Sequence, residues 1–230
     1  MSTIRIGSYD AAGSKGISHL GKHEKLLEIL DILFGGDKDV IKLLSEENEH
    51  MFEIDFAANR VTEYQAEGLF IDNADYLPDD ANIINVHTHP LGSLLIPGID
   101  VMITSSGFPS ITDLSDLLGA TIHYSLQDGK FCPVTNYVVG WEGDDVRITS
   151  YRFAREAIYY CINKKQTHKL KANLKTAFTI VLDDKELREN FFESILEEIN
   201  SNVLEGATVL RVSSIVYTPS RTKEPMPFWF

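Results

Sequence analysis

Cysteine is scarce in this chain. Cys132 and Cys161 are the only two among 230 residues, which suits a reducing compartment, and no Cys-x-x-Cys spacing offers a thiolate metal site. Long apolar runs are missing as well. Nothing approaches the roughly eighteen consecutive apolar residues of a membrane span, and no basic segment followed by an apolar one opens the chain. Neither a membrane segment nor a secretory signal is therefore expected, and the cytoplasm is the expected location. Positive charge is in short supply too, with 21 Lys and Arg against 34 Asp and Glu and a net charge of -13. A general nucleic-acid surface needs basic density to displace counterions, so the expected partners are proteins or small molecules.

What the chain does have is apolar content. At 43% hydrophobic residues it can bury a sizeable core as one large domain or one domain with an appendage. The stretch that organises the reading is Val86-His87-Thr88-His89-Pro90. On a strand the side-chain period is two, so His87 and His89 project from one face and offer two imidazoles to a single ion. Asn82 to Val86 reads as a buried strand leading into them, and Pro90 ends it. A carboxylate from the next element would complete three protein ligands and leave a fourth zinc position open, as in a hydrolytic site.

Two aspartates compete for that role. Asp113 sits in Ser110-Ile111-Thr112-Asp113-Leu114 and continues into an apolar helical run; Gly107-Phe108-Pro109 would break any helix begun at Asp100. Asp113 is preferred. The same Ser-x-x-Asp spacing also fits a helix capping box, in which Ser and carboxylate satisfy backbone donors and bind no metal.

His87-Thr88-His89-Pro90 followed by Ser110-Ile111-Thr112-Asp113 resembles the signature of the JAB/MPN (JAMM) zinc metalloproteases, whose pattern is a distant Glu, then His-x-His-Pro, then Ser-x-x-Asp. The likeness spans residues 20 to 145. It departs from the family between Leu91 and Phe108: the usual separation of roughly ten residues between the second His and the Asp points to Asp100, whereas Asp113 requires an insertion of about thirteen. The resemblance implies a mixed β-sheet flanked by helices, an MPN/JAB (cytidine-deaminase-like) core within the α/β class. It also implies a catalytic Glu near the first strand, for which Glu49 fits best, with Glu53 and Glu47 behind it.

With Zn2+ on His87, His89 and Asp113, the resemblance implies amide hydrolysis: Glu49 as general base, Ser110 as hydrogen-bond donor to the oxyanion, and the C-terminal tail of a ubiquitin-like modifier conjugate as substrate. A catalytically silent MPN-like scaffold, acting as a protein-interaction module, is the alternative. A deaminase-like enzyme would need His-x-Glu and Cys-x-x-Cys elements that this chain lacks.

The hydrophobic periodicity predicts two helices between Lys22 and Leu44, a hairpin from Met51 to Tyr64, and a loop over residues 66 to 81. After the Asp113 helix it predicts strands at Thr121–Leu126, Thr135–Trp141 and Val146–Ile148. Residues 1–150 would form the metalloprotease-like domain. A C-terminal α/β unit at 151–230 would hold a helix from Tyr151, a strand at Ala177–Leu182, a helix at Leu187–Val203 and a strand at Thr208–Tyr217. His19, His23 and His123 have no third ligand beside them and read as ordinary surface or packing residues. The lysines between Lys164 and Lys175 read as a solvated helix end. The aromatic stretch Pro225–Phe230 should pack on its own chain or on a neighbour.

Overall fold

The computed structural model describes residues 3–7, 44–45, 49–55, 60–65, 83–90, 107–142, 145–204 and 207–218. Among these, seven strands form one sheet: β1 (Thr3–Gly7), β2 (His50–Asp55), β3 (Arg60–Gln65), β4 (Ile83–His89), β5 (Asn136–Glu142), β6 (Asp145–Phe153) and β7 (Leu210–Thr218). Their spatial order is β1-β7-β6-β5-β4-β2-β3. β4 and β5 run parallel, and every other neighbouring pair is antiparallel, so the sheet is mixed as expected. The parallel pair needs a crossover, and helix α1 (Ile111–Gln127) supplies it. Further helices among the described residues are α2 (Arg155–Lys164), α3 (Thr167–Asp183), α4 (Lys185–Glu189) and α5 (Phe191–Asn202).

Local sequence explains the elements that matter for the site. β4 ends at His89 because Pro90 has no amide hydrogen to extend the ladder. β5 is buried along all but its last residue, as a central strand must be. The hairpin of β2 and β3 forms where the period-two pattern predicts it, with Met51 opposite Tyr64 and Asp55 opposite Arg60. α1 begins at an N-cap, Ser110, and buries Leu114, Leu117 and Leu118 against the sheet.

Four sequence expectations are corrected. Thr121–Leu126 is not a strand; it is the second half of α1, where Thr121 and Ser125 continue the buried stripe and the Thr121 hydroxyl donates back to Leu117 O at 2.7 Å. Ala177–Leu182 belongs to α3, whose buried Leu170, Leu174, Ala177, Phe178 and Val181 recur at helical spacing. No helix starts at Tyr151. Tyr151–Phe153 completes β6 opposite Leu210–Val212, and α2 begins only at Arg155. The helix predicted over Leu187–Val203 is split at Asn190, because Asp184 caps a short α4 and Asn190 leaves helical geometry before α5.

β7 lies between β6 and β1, so the sheet runs without interruption through strands from both sides of residue 150. The core on the α1 face joins Phe108, Leu114, Leu117 and Val138 to Phe153, Leu174, Phe192, Ile195 and Val212. The helices predicted before Leu44, the loop at 66–81, Asp100, Glu47 and the aromatic stretch at 225–230 lie outside the described residues. No helix among the described residues is long and apolar enough to cross a membrane.

Candidate metal centre

The alternation of β4 puts His87 and His89 on the face that α1 covers. His87 stands between Met51 on β2 and Val138 on β5, and His89 lies beside Gly140. Asp113 reaches the same point from the first turn of α1. Ser110 Oγ accepts from Asp113 N at 3.1 Å, and Asp113 Oδ2 accepts from Ser110 N at 2.7 Å, a complete capping box. That same Oδ2 lies 3.4 Å from His87 Nε2 and 3.3 Å from His89 Nε2, and the two Nε2 atoms are 3.2 Å apart. The capping and metal readings of Ser-x-x-Asp are therefore compatible. The cap is what aims the carboxylate.

Three possible ligand atoms thus form a near-equilateral triangle, with His87, His89 and Asp113 at 2%, 3% and 5% exposure. Donors held about 2.0–2.1 Å from a tetrahedral centre stand roughly 3.3–3.4 Å from one another. The donor set fits a metal ion. Burial alone would raise the Asp113 pKa, but the imidazoles of His87 and His89 hold it well below the usual carboxylate range. Its carboxylate is thus an anion ready to face a cation. Among the described residues, this is the one His/Cys/Asp/Glu group gathered closely enough to hold an ion.

The chain matches no protein-family model, no curated protein and no solved structure. The site must be read from its own chemistry.

Glu49 is buried, at 8% exposure, and stands one residue ahead of β2. The β2–β4 ladder pairs Met51 with His87, and His50 N donates to Thr88 Oγ1 at 2.9 Å, so Glu49 comes next along the edge that flanks His89. Glu53 is opposite Asn85, farther back along β4 than either histidine. Ser110 is half-buried, its oxygen engaged as the helix cap. His123 is exposed on α1 against the Tyr124 ring and is no part of the donor group.

Sequence reasoning missed the groups that brace this arrangement. Thr149 Oγ1 donates to Gly107 O, tying the lead-in of α1 to β6. A Cβ at Gly107 would fall 2.6 Å from Arg147 Cβ, so only glycine lets this segment lie so close to the strand. Arg147, itself buried, pairs with Glu142, donates to Ser214 Oγ at 2.9 Å, and stacks 3.7 Å over the Phe192 ring. Tyr151 and Asn136 are buried on the face that carries His87. Alternation flags these residues as inward-facing, and nothing more in the sequence marks them.

Proposed function

We propose that this chain is a zinc-dependent (iso)peptidase of the JAB/MPN type, hydrolysing an amide bond at the C-terminal tail of a ubiquitin-like modifier or a related protein conjugate. The observation that carries the reading is the convergence of His87, His89 and Asp113 on one point beside a buried Glu49. Two imidazoles and one carboxylate are the protein ligands of many hydrolytic zinc sites and suit zinc in softness and number. The chain order also accords with the resemblance: Glu49, a hairpin, the His-x-His strand, then the Ser-x-x-Asp helix.

His87 Nε2, His89 Nε2 and Asp113 Oδ2 would hold the ion. Zinc, when bound, polarises a carbonyl and acidifies water. The Glu49 carboxylate takes the proton from the attacking water and delivers it to the departing amine nitrogen, so no proton is gained or lost over the cycle. Ser110 Oγ accepts from Asp113 N, and its own hydroxyl hydrogen is available to donate to the developing oxyanion. Gly107 and Thr149 fix the segment that carries both residues.

The test is cleavage of ubiquitin-like modifiers joined through their C-terminal carboxylate to a fluorogenic amine. Zinc-loaded protein should release the amine, and Glu49→Gln should lose about 10²–10⁴-fold in rate with its zinc content unchanged. Full activity in Glu49→Gln would reject the base. Bound zinc with no cleavage of any conjugate would leave a silent scaffold in place of the enzyme.

A further inference from the structure

Two polar groups close to the metal-binding triangle have no use in the mechanism above. Tyr151 has no exposed surface and Asn136 is 3% exposed, yet the Tyr151 hydroxyl and Asn136 Oδ1 complete no hydrogen bond. They face each other across the β5–β6 ladder. Asn136 is two residues before Val138, the register partner of His87, so both side chains project from the face that carries the histidines.

A buried hydroxyl without a partner destabilises the fold, and phenylalanine would fill the same volume free of that cost. The surroundings indicate what the hydroxyl is placed for. Tyr151 shares one buried cluster with Leu114 and Leu117, on the helix whose first turn carries Asp113. The phenol is therefore an O–H donor buried on the side of the sheet covered by the helix that carries the carboxylate of the donor triangle. Asp113 Oδ2 is taken by Ser110 N and the two imidazoles. Metal-ligating carboxylates are ordinarily steadied by a further donor on the oxygen that the ion does not use.

We infer that Tyr151, oriented by Asn136, is a positioning residue of the metal centre, donating its hydroxyl to the Asp113 carboxylate when that carboxylate ligates an ion. This rests on the reading of His87, His89 and Asp113 as ligands. Its energetic signature is an opposition. The hydroxyl weakens the metal-free fold and strengthens the metal-bound state.

The experiment measures zinc affinity of the full chain by competition with a chromogenic chelator, alongside thermal unfolding of the metal-free protein. Tyr151→Phe should bind zinc about 10–100-fold more weakly while its metal-free melting temperature stays level or rises. A purely structural tyrosine would give a lower melting temperature and unchanged affinity. Asn136→Leu should weaken zinc binding in the same direction, which keeps the test open should one variant fold poorly. With cobalt(II) as a spectroscopic probe, the visible absorption of the wild-type complex should change in Tyr151→Phe. Zinc affinity within twofold of wild type in both variants overturns the inference and leaves the metal site standing. A wild-type chain that binds no zinc overturns both.

Discussion

Two charged clusters sit on the same face of the sheet, two strands apart, and they differ in the groups they bring together. Around Arg147 the books balance internally: the guanidinium has the Glu142 carboxylate, the Ser214 hydroxyl and the Phe192 ring, so cation, anion and π-face are all supplied by the chain. Around Asp113 the groups are of another kind. Two imidazole nitrogens and a carboxylate oxygen crowd to within 3.4 Å of one another, a gathering of metal-ligand types. The second cluster could take a metal ion as a guest.

The sharpest way to break this contrast is to remove one member from each cluster. Asp113→Ala should lower zinc affinity by roughly three orders of magnitude, since it deletes one of three ligands and the only charged one, as equilibrium dialysis would measure. Arg147→Leu should leave zinc affinity near wild type and instead cost about 1–3 kcal/mol in chemical denaturation, chiefly from the lost Ser214 bond and Phe192 contact. The ionic part of that loss is small because the Glu142 side chain is 40% exposed and can be rehydrated. Equal effects of the two variants on zinc binding would erase the distinction.

Adding the guest is the next test. Zinc at a hundred times its dissociation constant should stabilise the native state by about 2.7 kcal/mol, which for a chain of this size raises the melting temperature by roughly 5–10 °C. Asp113→Ala should show none of this rise. An equal rise in that variant would locate the ion elsewhere.

A smaller effect joins the two clusters. Gly107→Ala presses a methyl group onto Arg147 at the point where the chain enters α1, and should cost about 1–3 kcal/mol through the displaced segment. Because that segment carries Ser110 and Asp113, zinc affinity should fall along with stability. A variant destabilised to this extent but unchanged in zinc binding would show that the α1 lead-in and the donor triangle move independently.

Legibility in the sequence followed the range of the interactions. His87 and His89 could be read because a strand's alternation is local and Pro90 marks its end. Asp113 was readable through the four-residue capping spacing, which the structure contains in full. Thr121–Leu126 misled because its β-branched and aromatic residues favour a strand by propensity, while burial of Leu114, Leu117, Leu118 and Thr121 along one stripe favours the helix. At Ala177–Leu182 the local run is apolar in either conformation, and only the stripe begun at Leu170 decides. Gly107, Arg147, Asn136 and Tyr151 were illegible for a different reason. Their significance lies in contacts such as Thr149 with Gly107 and Arg147 with Ser214, separated by 42 and 67 residues, which no local pattern encodes.

The parallel pairing of β4 and β5 carries a consequence of its own. Their shared direction brings the carboxyl ends of both strands to one edge, His89 closing β4 level with Gly140, two residues before β5 ends at Glu142, with the helix that joins them starting on that side. In open α/β sheets, crevices outside such ends are where small ligands settle, since the departing backbones diverge and leave room. The place of the candidate metal group is thereby set by the winding of the chain.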